Sequence, residues 1–123
     1  MSANPPQLTV VILTFNSAAI IGETVAQARK LTDDIYVVDS GSTDGTLQIL
    51  EANACRIAQR PFVHYADQRN WAIEQLRDGR PWQLHLDADE VLDDKAVSSV
   101  KSALDGAGGI EGFMLLRKTF FMG

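Results

Sequence analysis

Three short apolar runs, each closing on a polar residue, set the tightest limit on how this chain folds. They are residues 8–14 (Leu-Thr-Val-Val-Ile-Leu-Thr), 35–39 (Ile-Tyr-Val-Val-Asp) and 82–87 (Trp-Gln-Leu-His-Leu-Asp). The first two are rich in β-branched residues and read as parallel strands buried on both faces. Amphipathic stretches separate the runs. Ile21, Val25, Ala28 and Leu31 form one helical stripe, with Asn16 or Ser17 placed to cap it, and Leu47 and Leu50 mark a second helix. Residues 55–58 read as a short strand, 64–77 as a helix and 93–104 as a helix carrying Val97, Val100 and Leu104. A last strand is expected around 113–119. Strand–helix alternation with short links defines an α/β fold, an open, mostly parallel twisted sheet with helices on both faces, in the manner of a Rossmann-like half. Residues 1–123 then read as a single domain. In such folds ligands bind outside the carboxyl ends of the strands, and Thr14, Asp39 and Asp87 all fall at such ends.

The tetrad Leu86-Asp87-Ala88-Asp89 carries the most chemistry. Carboxylates two positions apart at a strand end leave the pleat on the same side. Two like charges aimed at one spot call for a cation or several donors, and hard divalent cations such as Mg²⁺ or Mn²⁺ take carboxylate and phosphate oxygens. A plain turn whose aspartates cap the next helix is the alternative, and Asp93 and Asp94 already stand where that cap is needed. The segment Asp39-Ser-Gly-Ser-Thr-Asp-Gly-Thr46 reads as a strand-to-helix turn with Asp44 and the hydroxyls as caps, but Asp39 precedes the turn and can accept from a ribose or a base N–H.

On the 64–77 helix, Tyr65, Arg69, Ala72, Ile73 and Leu76 share a face by spacing. A guanidinium on that face keeps its proton and needs an acceptor: Asp39, Asp87 or a ligand phosphate. The alternative is a packed stem with its head in solvent. Asn70 is placed to serve the same edge. His85 alternates with Leu84 and Leu86 and reads as a satisfied structural histidine, and Trp71 and Trp82 read as packing residues.

Composition narrows the function. With 16 acidic against 11 basic side chains and a formal charge of −5, the chain lacks the positive field of a nucleic-acid binder. The single cysteine, Cys55, excludes an intrachain disulfide and suits the cytosol. No targeting segment is legible in the polar N-terminus, and no apolar run is long enough for a transmembrane span, so any membrane association is expected to be peripheral.

Four segments in order, Val11-Ile-Leu-Thr-Phe-Asn16, Val37-Val-Asp-Ser-Gly-Ser-Thr-Asp-Gly-Thr46, Gln68-Arg-Asn-Trp-Ala72 and Leu84-His-Leu-Asp-Ala-Asp-Glu90, resemble family 2 glycosyltransferases, most closely the lipopolysaccharide-core branch. The resemblance implies the GT-A fold and the donor-binding half of an inverting, metal-dependent glycosyltransferase. It implies that Thr14, Asn16, Asp39 and Ser40 line the nucleotide pocket, with Asp39 on the base, usually uracil. Arg69 and Asn70 would support the floor, Asp87 would approach ribose and metal, and Asp89 would be the direct ligand of Mg²⁺ or Mn²⁺. A UDP-sugar donor, a saccharide or lipid-linked saccharide acceptor, and a cytoplasmic location peripheral to the inner membrane face follow from the same resemblance. One departure is Ser17-Ala18, where many members carry an acidic residue.

The resemblance also places the catalytic base beyond Gly123, so donor binding without sugar transfer at an enzymatic rate is expected of this chain. The apolar stretch 112–122 is expected to self-associate through an exposed strand edge. Two rivals stand beside this reading. Leu84 to Leu92 also resembles the Asp-x-Asp-x-Val motif of haloacid-dehalogenase-type phosphatases, with Asp87 as nucleophile, although the remaining parts of that set do not follow. The other rival is a non-catalytic nucleotide-binding module.

Overall fold

The computed structural model describes residues 7–107 and 112–115. In chain order the elements are β1 (Leu8–Thr14), α1 (Ile21–Ala28), β2 (Ile35–Asp39), α2 (Thr46–Ala52), β3 (Arg56–Gln59), α3 (Tyr65–Gln75), β4 (Trp82–Asp87), α4 (Asp94–Ala107) and β5 (Gly112–Leu115). All strand pairings are parallel, in the order β3-β2-β1-β4-β5. The chain therefore builds outward from β1 to β3, then crosses back to lay β4 against the other side of β1. The carboxyl edge between β1 and β4 is the switch point at which such sheets open a crevice.

Each residue of β1 is buried, because the strand is central and covered on both faces. Leu8, Val10 and Ile12 face a core with Ile21 and Val25 of α1, Leu50 of α2, Leu84 and Leu86 of β4, and Val97 and Val100 of α4. Val11 and Leu13 face the other way, onto Ala72 of α3 and Leu76 just past its end, with Val38. Three helices thus cover one face and α3 covers the other. The β4–α4–β5 connection steps away from β1 with its helix on the α1 face, so its hand is opposite to that of β1–α1–β2, an uncommon arrangement.

Element boundaries depart from expectation by local chemistry. The β3 strand starts at Arg56, one residue late, because Ala54 takes a positive φ of 58° and Cys55 still bonds back to Leu50. Helix α3 starts at Tyr65 because His64 caps it, its Nδ1 accepting from the Asp67 amide at 3.1 Å. Asp93 caps the last helix by accepting from the Ala96 amide at 2.7 Å. Neither Asn16 nor Ser17 caps α1 through its side chain. The amides of Ile20 and Ile21 turn back onto the Ser17 carbonyl instead, and the two side chains bond elsewhere. The expected final strand is described only over 112–115, and residues 116–122 of the expected self-association segment lie outside the described residues. Among the described residues, no helix is long and apolar enough to cross a membrane.

Candidate functional site

A cleft of about 730 Å³ opens at the carboxyl edge of the sheet, a size suited to a small-molecule ligand. Residues 13–17 with Ala19 and Ile20 form its β1 wall, Ser40 its β2 corner, Phe62 and Tyr65 the wall beside α3, and residues 87–89 the wall at the end of β4. Of the residues singled out in the sequence, Thr14, Asn16, Ser40, Asp87 and Asp89 meet there. Asp39 and Arg69 stand behind these. Asn70 is exposed and does not line the cleft.

Asp39 is wholly buried. Register pairs it with Thr14, whose hydroxyl donates to Oδ1 at 2.8 Å. The Ser42 hydroxyl donates to the same oxygen at 2.6 Å, while the amides of Gly41 and Ser42 donate to Oδ2 at 2.9 and 2.7 Å. Four donors fill a carboxylate's capacity. Burial disfavours the charge, but the Ser42 hydroxyl and amide, the Thr14 hydroxyl and the Gly41 amide outweigh it and hold the carboxyl below its ordinary range.

The same turn clamps the β1 loop. Asn16, at a positive φ of 45°, donates its amide to Ser42 Oγ at 2.8 Å and accepts from the Thr43 amide at 2.8 Å. Ser17 and Ala18 amides donate to Thr46 Oγ1 and Asp44 Oδ2. Asn16 and Asp44 therefore join two loops at the cleft mouth. Asp44 in addition accepts from the Thr46 amide at 2.9 Å at the start of α2.

Arg69 finds its acceptor in Asp87, at 3.7 Å from Oδ1, because Asp87 lies on the α3 side of β4. The contact is loose. Arg69 Nε and Asp87 Oδ1 are both buried without a hydrogen-bond partner. Asp87 donates its amide to Glu90 Oε1 at 2.7 Å. Burial raises the Glu90 pKa; the Asp87 amide opposes this, and the charges of Asp87 and Asp89 add to the rise. His85, under α3, bonds Gln83 Oε1 at 2.8 Å through Nε2 but leaves Nδ1 without a partner. Burial, aided by Arg69, pushes its pKa down to about 4, so the ring is neutral at pH 7. Asp89 is exposed in the cleft.

No cluster of three or more His, Cys, Asp or Glu side chains able to hold a metal occurs among the described residues. The carboxylates that line the cleft, an exposed Asp89 and a partly exposed Asp87, fit a cation of the Mg²⁺ type. Such an ion takes one or two carboxylates and fills its shell with phosphate and water. Sequence reasoning missed the wall of Phe62 and Tyr65. Spacing put Tyr65 on the buried face of α3, whereas Gln68, Ala72 and Leu76 form that face and Tyr65 is exposed beyond the sheet edge.

Residues 9–109 match the family described as Glycosyl transferase family 2, and the chain belongs to that family. It is similar to LpsC of Rhizobium meliloti (strain 1021), a lipopolysaccharide core biosynthesis glycosyltransferase, with 30% identity over 121 residues, 94% of this chain and 44% of LpsC. An uncharacterized glycosyltransferase of Rickettsia bellii (strain RML369-C) is 33% identical over 86 residues, 70% of this chain and 29% of that protein. The chain thus spans less than half the length of these relatives. Among solved structures, glucosyl-3-phosphoglycerate synthase from Mycobacterium tuberculosis in complex with UDP shares the fold, with a TM-score of 0.55 at 22% identity over 68% of this chain and 34% of that one. The same enzyme with Mn²⁺, UDP and glucosyl-3-phosphoglycerate gives a TM-score of 0.53 at 22% identity, covering 66% and 33%.

Proposed function

We propose that this chain binds the nucleotide-sugar donor of an inverting, metal-dependent glycosyl transfer, with a UDP-sugar as donor. The observation that carries the reading is the pair Asp87 and Asp89 at the end of β4, facing the switch-point cleft with Arg69 behind them. Asp89 and Asp87 would hold Mg²⁺ or Mn²⁺, which when bound supplies positive charge where a leaving diphosphate gains negative charge. Arg69 steadies Asp87 from α3. Thr14, Asn16 and Ser40 hold the nucleoside end, and Asp39 acts beneath them by fixing the Thr14 hydroxyl and the Ser42 turn. UDP and Mn²⁺ in the similar mycobacterial enzyme support the choice of ligand. The likeness to LpsC supports a place in lipopolysaccharide core biosynthesis; the acceptor in this reading is a saccharide or lipid-linked saccharide, met at the cytoplasmic side of the membrane.

Membership of the glycosyltransferase family favours this reading over the phosphatase rival. Calorimetric titration with UDP, with and without Mn²⁺, tests the proposal. Binding should need the cation and weaken at least tenfold in Asp89→Asn. Metal-independent binding, or none, would overturn it.

A further inference from the structure

Three exposed aromatic side chains, Phe15, Phe62 and Tyr65, line the cleft, and the exposed Val63 lies between two of them in the chain. Phe62 and Tyr65 remain 46% and 59% exposed, yet their rings meet edge to face, with centroids 5.2 Å apart and planes at 76°. The segment that carries them is tied at both ends. Arg60 donates its amide to the Asp39 carbonyl at 2.9 Å, and its own carbonyl accepts from Gln68 Nε2 at 3.1 Å. At the far end His64 caps α3, and Tyr65 is the first residue of that helix. The aromatic pair is therefore held in place without being buried, a costly arrangement unless a ligand covers it.

Position narrows what that ligand offers. Tyr65 and Arg69 are four residues apart on one face of α3, and Arg69 reaches Asp87. Phe62 and Tyr65 thus line the same cleft as Asp87 and Asp89, with Tyr65 about one helical turn, roughly 5–6 Å along α3, from the Arg69 that backs the carboxylates. A base at the wall and a diphosphate at the aspartates can then share the cleft. A flat π-system gains most from such a wall. A sugar would bring hydroxyls that need partners, and this wall offers a single hydroxyl, that of Tyr65.

We propose that Phe62 and Tyr65 form the stacking wall for the nucleobase of the donor, as specificity-determining residues to which no role has been given above. This rests on the donor-binding reading, and the test separates the two. UDP and inorganic pyrophosphate, each with Mn²⁺, are titrated into the 123-residue chain and its Phe62→Ala, Tyr65→Ala and Tyr65→Phe variants. Stacking predicts that each alanine variant loses about tenfold or more for UDP and changes less than about twofold for pyrophosphate, while Tyr65→Phe keeps its UDP affinity. Unchanged UDP binding in both alanine variants would overturn the inference and leave donor binding standing; the wall would then serve another occupant, such as an acceptor saccharide. An equal loss for pyrophosphate would also overturn it, because the residues would then act on the shape of the whole cleft. If the unaltered chain binds neither probe, both readings fall.

Discussion

Asp39 shows how much a single side chain can organise when its lone pairs are all taken. Replacing its carboxylate by an amide turns one acceptor into a donor that faces either the two backbone amides at Oδ2 or the two hydroxyls at Oδ1. Asp39→Asn should therefore lose about 1–3 kcal/mol of stability at neutral pH, read by urea unfolding. The pH dependence has a fixed sign. The folded carboxyl titrates below its unfolded value of about 3.9, so its contribution is complete above about pH 4 and lost as pH falls through the lower folded value. The gap between the native chain and the variant should narrow by about pH 3; a constant gap would mean that packing rather than ionisation is at stake. Gly41 in the same turn has φ of +103° with open space where a Cβ would stand. Gly41→Ala should then cost about 1 kcal/mol through backbone strain alone, measured in the same unfolding series. The sequence made Asp39 visible as an acid at a strand tip. Its four donors were not legible, since they depend on how Thr14 and Ser42 are brought beside it in space.

At the scale of elements, α3 couples the two halves of the sheet edge. Gln68, in its first turn, is fully buried, donating to Ser40 Oγ at 3.2 Å and to the Arg60 carbonyl, and accepting from Arg60 at 2.8 Å. Gln68→Ala should cost about 2–3 kcal/mol, because buried partners on two neighbouring elements lose their bonds together. Hydrogen exchange should speed up across residues 64–76 while α4 keeps its protection; equal acceleration of both helices would argue for global loosening. Apolar spacing found this helix but chose the wrong buried edge. Gln68 is polar, so a hydrophobic pattern cannot place it inward, and Tyr65 is aromatic, so the pattern cannot place it outward. Arg69 was legible as a cation in need of an acceptor, and only the register of β4 with β1 selects Asp87 from the three candidates.

For the whole molecule, strand–helix alternation was enough to predict a parallel sheet and a site at its carboxyl edge. It could not fix which strand flanks β1, because local pattern says nothing about where β4 returns. That return places two aspartates of one strand end in different settings, and their stabilities should separate accordingly. Asp87 faces the half-buried Arg69, whereas Asp89 stands exposed near Asp87 and Glu90. Without ligand, Asp87→Asn should lose about 1 kcal/mol by leaving the guanidinium with a weaker partner. Asp89→Asn should stay within about 0.5 kcal/mol of the parent, since it removes an exposed like charge beside Glu90. With UDP and Mn²⁺ near a hundred times the dissociation constant, the native chain should gain about 2.7 kcal/mol. Both variants should lose most of that gain. Thermal unfolding of the three chains, with and without the pair of ligands, gives all six values. Equal destabilisation of the two variants without ligand would show that Asp89 also has a structural partner, and a retained ligand shift in Asp89→Asn would remove it from the cation site.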